Sequence, residues 1–192
     1  MMAVSLYMKG AAPSPGRKMK HSGESVRALP VRIVTVGKKR SKGVQLLFEE
    51  YKEKLKCYCC INDIQVKSNP KNTGDVRAQI ESEDTIVMQH IRPRDWVVIL
   101  DEHGLDIGSE EMAQLVEDAG KTGSSMLVFC IGGPYGHGPK LRERADVSIK
   151  LSSMVLNHQV ALVVLMEQLY RFSHEKIFHS YLFQCPMFLR QF

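Results

Sequence analysis

Apolar and polar positions along this chain switch repeatedly between a two-residue and a helical period. Residues 31–36, Val-Arg-Ile-Val-Thr-Val, form a β-branched run that predicts a strand, closed by Gly37, Lys38 and Lys39. Over 43–56, Val44, Leu47, Phe48, Tyr51 and Leu55 recur at helical spacing with Glu49, Glu50, Lys52 and Lys54 between them, which predicts an amphipathic helix. Residues 61–67 alternate as a second strand, and a Lys- and Asn-rich turn at 70–74 leads into a helix over 75–90 that Pro93 closes off. Trp96-Val97-Val98-Ile99-Leu100 does not alternate, the pattern of a central strand covered on both faces, and it runs into Asp101-Glu102-His103-Gly104. Ser109 is the expected cap of the next helix, with Glu110 and Glu111 in its first turn and Gly120 as its stop. The apolar run 126–131 predicts a buried strand that ends in Gly132-Gly133-Pro134-Tyr135-Gly136-His137-Gly138. A short basic helix over 139–145, a strand over 146–151 and an irregular stretch from Ser152 to His158 precede a strongly apolar helix over 159–172.

Strand and helix thus alternate about five times, which implies an α/β fold with a parallel or mostly parallel sheet flanked by helices. In such sheets ligands sit beyond the carboxyl ends of the strands. The loop after residue 131 carries four glycines in seven residues, so its backbone N–H and C=O groups are uncovered by Cβ atoms and a flat or phosphate-bearing ligand can approach. A tight turn is the other reading of the same glycines. The loop lacks both the G-x-G-x-x-G spacing with a downstream acid and the lysine of a G-x-x-x-x-G-K-[ST] loop, so neither a Rossmann fingerprint nor a Walker loop is supported. Asp101 and Glu102 are adjacent, and adjacent strand side chains face opposite ways, so they are no evident acid–base pair.

Composition narrows the class further. A chain of 192 residues, 44% hydrophobic, suits one domain with a full core. The net charge of +5 admits RNA or another polyanion as partner without demanding one. Five cysteines, three of them crowded at Cys57, Cys59 and Cys60, make no disulfide framework and fit a reducing compartment. The C-x-x-C of Cys57 and Cys60 has no second pair to complete a zinc site, so no metal is expected. No apolar run approaches the length of a membrane span. The first acidic residue is Glu24, and the segment before it is basic and rich in Gly and Pro. It reads either as a disordered tail or as an organelle-targeting segment for a plastid or mitochondrion, with the cytoplasm as the alternative location.

Four segments taken together carry a family resemblance. They are Leu100-Asp101 with Gly104, the stretch from Ile131 to Gly136, Leu151-Ser152-Ser153-Met154 through His158, and Glu167-Gln168-Leu169-Tyr170-Arg171. In order and spacing they resemble the ribosomal RNA large subunit pseudouridine N3-methyltransferase family, within the trefoil-knotted SPOUT methyltransferases. The resemblance covers residues 31–181, with 1–30 as a tail or targeting segment and 182–192 as an atypical apolar tail. It implies a deep carboxyl-terminal trefoil knot, a homodimer, and S-adenosylmethionine bound in a bent pose. It also implies methyl transfer to N3 of a pseudouridine in large-subunit rRNA or the assembled ribosome.

By match, Leu100, Gly132, Gly133, Ser152, Ser153, Met154, Val155, Leu156 and Asn157 would contact the cofactor, and His158 and Tyr181 would be catalytic. His158 is the best-placed base; its other reading is a cap of the helix that follows. The charges available for RNA are Lys38, Lys39 and Arg40, then Arg142, then Arg171. The chain departs from the family at Asn157, where a proline is usual, at Leu162, where many relatives carry arginine, and at Leu182, where a histidine belongs. Leu162 and the altered tail keep open the reading of a knotted RNA- or ribosome-binding protein without turnover, and a related SPOUT enzyme that methylates tRNA ribose is a further alternative.

Overall fold

The structure, a computed structural model, describes residues 29–68 and 75–184, with residues 174–184 as helical backbone alone. The basic segment up to residue 28, with its expected targeting role, the turn at 69–74 and the tail after Gln184 lie outside the described residues. In chain order the elements are β1 (Val31–Gly37), α1 (Lys42–Leu55), β2 (Ile61–Lys67), α2 (Val76–Met88), β3 (Asp95–Asp106), α3 (Ser109–Lys121), β4 (Met126–Ile131), α4 (Pro139–Arg144), β5 (Val147–Lys150) and α5 (His158–Gln184). The five strands form one parallel sheet in the order β2-β1-β4-β3-β5.

Alternation along the strands divides the core in two. Val31 and Ile33 of β1, Leu127 and Phe129 of β4, Val98 of β3 and Ile149 of β5 face one way. They meet Phe48 and Leu55 of α1, Met112 and Ala119 of α3, and Leu162, Leu165 and Met166 of α5. Val34, Val36, Val66, Val97, Ile99, Val128 and Cys130 face the other way, under Val87 of α2 and Leu141 of α4. Every residue of β1 is buried because that strand has a neighbour on each side and helices over both faces. Each fully buried Leu or Phe here contributes about 2 kcal/mol relative to exposure.

The structure departs from the sequence pattern at three elements. β3 does not stop at Leu100 but continues to Asp106, and its pairing with β5 shifts register between Leu100 and Leu105. Beyond Leu100 the strand rises out of the two-sided core, so polar residues occupy it and the apolar-run criterion no longer applies. At α3, Gly108 and not Ser109 is the cap residue; its N–H donates to Glu111 Oε2 at 2.9 Å. Gly120 lies inside that helix, which ends where Thr122 turns its hydroxyl back onto the Ala119 carbonyl at 2.7 Å. α5 starts at His158, with Asn157 as its cap: Asn157 Oδ1 accepts the Gln159 N–H at 2.9 Å. It runs past Phe172 to Gln184, because no glycine or proline interrupts the chain before Pro186.

One charged side chain expected at the surface is buried. Arg40 is only 8% exposed and grips both carboxylate oxygens of Asp63 on β2, at 2.7 and 2.6 Å. It also donates to Thr35 Oγ1 at 3.2 Å and lies 4.3 Å above the Phe48 ring. Its guanidinium is therefore the strut of the β1–α1 loop and is not free to meet an RNA phosphate, unlike its exposed neighbours Lys38 and Lys39. Replacing Arg40 with alanine leaves Asp63 unpaired and removes packing over Phe48. We expect a loss of about 3 kcal/mol, read as a lower urea midpoint at constant m value. Lys39→Ala should stay within about 0.5 kcal/mol of the parent, and equal midpoints for the two variants would refute a structural role for Arg40.

Candidate active site at the carboxyl ends of the strands

A cleft of 620 Å³ opens at the carboxyl ends of β3, β4 and β5. Its walls are the end of β3 from Leu100 to His103, the glycine loop from Ile131 to Gly136, the segment from Lys150 to Asn157, and His158 and Ala161 of α5, with Arg142 at the side. Topology puts the cleft there. β5 is the edge strand, whereas α5 packs back against α1, α3 and β4. The chain between them must pass over the ends of β3 and β4, and in doing so it roofs the glycine loop.

The loop is both a tight turn and an open cradle. The Gly136 N–H donates to the Gly133 carbonyl at 3.1 Å, closing the turn. A Cβ at Gly132 would lie 3.0 Å from the Gly136 backbone, so glycine at that position is what lets the turn close on itself. Side chains then fasten the loop to β3. His137 Nε2 lies 2.9 Å from the Leu100 carbonyl oxygen, Arg142 Nε donates to the His137 carbonyl at 3.1 Å, and the Arg142 guanidinium meets Asp101 Oδ2 at 2.5 Å. From below, Asp84 of α2 accepts the N–H groups of Lys140 and Leu141, at 2.9 and 3.1 Å.

Burial lowers the pKa of His137, leaving its ring neutral at neutral pH. Burial alone would raise that of Asp101, but the His103 N–H and the Arg142 charge outweigh it, and the carboxyl stays below its ordinary range.

Of the residues expected to hold a cofactor, Leu100, Gly132, Gly133, Ser152, Met154, Val155, Leu156 and Asn157 all line the cleft. Ser153 stands on the same segment, exposed to solvent. Met154 and Val155 project at the mouth, 72% and 78% exposed. His158 lines the cleft and also a small hollow between β1 and α5, shared with Gly37, Lys38, Gln65 and Leu162. Its Nε2 is buried and has no hydrogen-bond partner among the described residues. That atom faces Gly37, where a Cβ would come within 3.0 Å and where φ is +150°, so glycine is required on both counts. Burial also lowers the pKa of His158.

Of the cations expected to meet RNA, Arg142 stands at the side of the cleft, engaged with Asp101, and Arg40 is the buried strut described above. Arg171 pairs with Glu167 at 3.2 Å and lies about 20 Å along α5 from His158. Tyr181 is on α5, about 35 Å from His158 along the axis, so one chain does not bring the two together. Leu162, where the resemblance expects arginine, is 1% exposed and belongs to the core. Sequence reasoning missed His137 and Asp84; the histidine inside a glycine loop was a signal, whereas nothing in the polar pattern of α2 marked Asp84. Cys57 and Cys60 are exposed and free, and burial pushes the Cys59 thiol up to about 11. Among the described residues no group of three or more His, Cys, Asp or Glu side chains is placed to hold a metal ion, and no helix is long and apolar enough to cross a membrane.

Comparison with known proteins identifies the family. The family model described as "Predicted SPOUT methyltransferase" matches residues 29–181. An Arabidopsis thaliana protein, named provisionally as an RNA methyltransferase, is 61% identical over 164 residues, covering 84% of this chain and 85% of its own. The ribosomal RNA large subunit methyltransferase H of Clostridium botulinum is 35% identical over 145 residues, covering 73% of this chain and 91% of its own. Among solved structures, a Bordetella pertussis protein described as a probable methyltransferase overlaps with a TM-score of 0.48 at 13% identity, over 75% of this chain and 94% of its own. That overlap is too loose to bear on function, but the family match and the sequence relatives are decisive: this chain belongs to the SPOUT methyltransferases, enzymes that take their methyl group from S-adenosylmethionine.

Proposed function

We propose that this enzyme methylates N3 of a pseudouridine in large-subunit ribosomal RNA. The observation that carries the reading is the glycine-walled cleft, formed by the same segments on which the family resemblance rests. The 35% identical bacterial relative is named for large-subunit rRNA, which supports that substrate class.

The cleft fits S-adenosylmethionine. Its volume of 620 Å³ lies within the roughly 300–1,000 Å³ range of small-molecule sites. Gly132, Gly133 and Gly136 present backbone along the cleft wall, and Leu100, Leu156 and Met154 offer apolar contact beside it. Leu100, Gly132, Gly133 and residues 152–157 would hold the cofactor, with Asp101 and Glu102 on the β3 side of the cleft. When bound, it supplies an electrophilic methyl group on sulfur.

The protein must then orient the base and remove its proton. Pseudouridine N3 carries a hydrogen that leaves as the nitrogen–methyl bond forms, and His158 is the group in the cleft suited to take it. Its ring is neutral at neutral pH, and Nε2 has no competing partner among the described residues. Because Gly37 covers that atom, engagement requires the ring to turn or the β1–α1 loop to shift. The exposed Lys38 and Lys39 stand on that loop, on the far side of the hollow that His158 shares, and would guide RNA to this face.

The reading includes a second copy of the chain and a knot. Tyr181 lies too far along α5 to serve its own cleft, and Leu46 and Val160 expose apolar surface on α1 and α5. Residues 151–157 take the crossing path that threading would need. A crystal structure of the cofactor complex tests both features together; a monomer with an unthreaded chain would remove them from the proposal.

Two measurements test the chemistry. Calorimetric titration should show S-adenosylmethionine binding, and rRNA from cells lacking the protein should lose one methyl group at a large-subunit pseudouridine by mass mapping. Cofactor binding with unchanged rRNA would leave a binding protein without this turnover. For His158, the sign follows from its lowered pKa: the neutral base persists above the ordinary imidazole value and is lost only below it. We therefore expect kcat/KM to be flat above about pH 6.5 and to fall on further acidification. His158→Gln should abolish that limb and lower kcat by about a hundredfold or more, with cofactor affinity nearly kept. An unaltered profile in the variant would reduce His158 to a structural histidine.

A further inference from the structure

Arg142 is one of the cations expected to meet RNA, yet its surroundings give it another task. Asp101, at the end of β3, has a side chain only 3% exposed, and its Oδ2 meets the Arg142 guanidinium at 2.5 Å. The other carboxylate oxygen accepts the His103 N–H at 2.9 Å, which fixes its orientation on the strand. Arg142 Nε reaches back to the His137 carbonyl at 3.1 Å, and the His137 ring reaches the Leu100 carbonyl oxygen at 2.9 Å. Leu100 and Asp101 are neighbours, so these links close a ring between the end of β3 and the segment 137–142.

The glycine loop hangs between two anchors as a result. At its start, Ile131 is paired with Leu100 in the sheet. At its finish, the ring just described returns the chain to the same point on β3. Between them Gly132, Gly133 and Gly136 bring no side chains to hold the loop, and the Gly136 N–H bond to the Gly133 carbonyl closes only its tip. How that closed tip sits against β3 is therefore set by the two ends.

We propose that Asp101 and Arg142 form a clasp that holds the glycine loop in the geometry that accepts S-adenosylmethionine, making Arg142 a positioning residue of the cofactor cleft and not an RNA contact. The inference rests on the reading of this cleft as the cofactor site. It is consistent with charge. The clasped pair is neutral overall, so it adds little to the field that an RNA backbone senses, whereas Lys38 and Lys39 are exposed and have no ion pair to any described residue. The same conclusion follows from specificity: a pocket set by contacts within one chain is formed before RNA arrives.

A double-mutant cycle on cofactor affinity tests the clasp. Calorimetry would compare the parent, Asp101→Asn, Arg142→Gln and the double variant, all without RNA. We expect each single substitution to weaken S-adenosylmethionine binding about tenfold, and the double variant to be no weaker than either single, because both break one interaction. Filter binding of an rRNA fragment across a salt series supplies the second readout. Arg142→Gln should keep the parent salt slope, while the combined Lys38→Ala and Lys39→Ala variant should reduce it.

The half-exposed Arg142 side chain makes Arg142→Gln the safer variant for folding, and its urea midpoint should match the parent. If Asp101→Asn fails to fold, Arg142→Lys replaces it: the ammonium keeps the pair with Asp101 but loses the His137 carbonyl, so an intermediate loss of affinity is expected. Parent-like affinity in Arg142→Gln, or a lowered RNA salt slope in that variant, overturns the clasp. Absence of cofactor binding by the parent protein would instead refute the assignment of the cleft itself.

Discussion

The active-site architecture depends on a constraint of chain path. β5 completes the sheet at one edge, but the apolar face of α5 can be buried only between α1 and α3, over the middle of the sheet. Leu162, Leu165 and Met166 are fully buried there and anchor the helix. The seven residues between Lys150 and His158 have to bridge that offset, and the route runs across the carboxyl ends of β3 and β4. A short, irregular segment is thereby stretched over a glycine loop, and the space between them is the cleft. Hydrophobic burial on one face of the sheet thus creates a polar, backbone-lined site at its end.

Buried charge divides its work in the same structure. Arg32 with Asp95 secures the amino ends of the strands, and Arg40 with Asp63 secures the loop after β1. Asp101 with Arg142 and Asp84 with the start of α4 secure the loop after β4. Each pair costs desolvation, so none is there to add much net stability. Their directionality is what matters: a bidentate or capped carboxylate fixes the angle at which one segment meets the next, which apolar packing alone leaves loose. The cleft borders the fastened loop after β4, the small hollow beside it borders the loop after β1, and His158 lines both.

The sequence made the architecture legible because parallel strands buried on both faces leave uninterrupted apolar runs, as at 96–100 and 126–131. The limits of that signal are equally physical. β3 continues through Asp101 to Asp106, where burial ends but pairing does not, so composition changes before the strand does. Ser109 carries a better capping side chain than Gly108, yet the Glu111 carboxylate supplies the hydrogen bond from the other direction. At the candidate site, Leu100, Gly132, Gly133 and the segment before His158, expected from the family resemblance, share one cleft. Arg40 misled because a run of basic residues is indistinguishable, in sequence, from cations already committed to a carboxylate elsewhere in the chain. Asp63 is 23 residues from Arg40, and only the fold makes them neighbours.

The pairing of β1 bears on when this protein can fold. Val31 sits beside Leu127 in the sheet, and the strand between β2 and β4 is buried on both faces. During synthesis β1 leaves the ribosome long before β4 exists to cover its second edge. At typical elongation speeds the interval is on the order of ten seconds. Throughout it the nascent chain presents a β-branched strand, polar only at Arg32 and Thr35, with one unsatisfied edge that can pair with another chain. Completion of the core is therefore timed by translation and not by collapse, and the polar residues of α1 and α2 that enter in the meantime keep the waiting chain soluble.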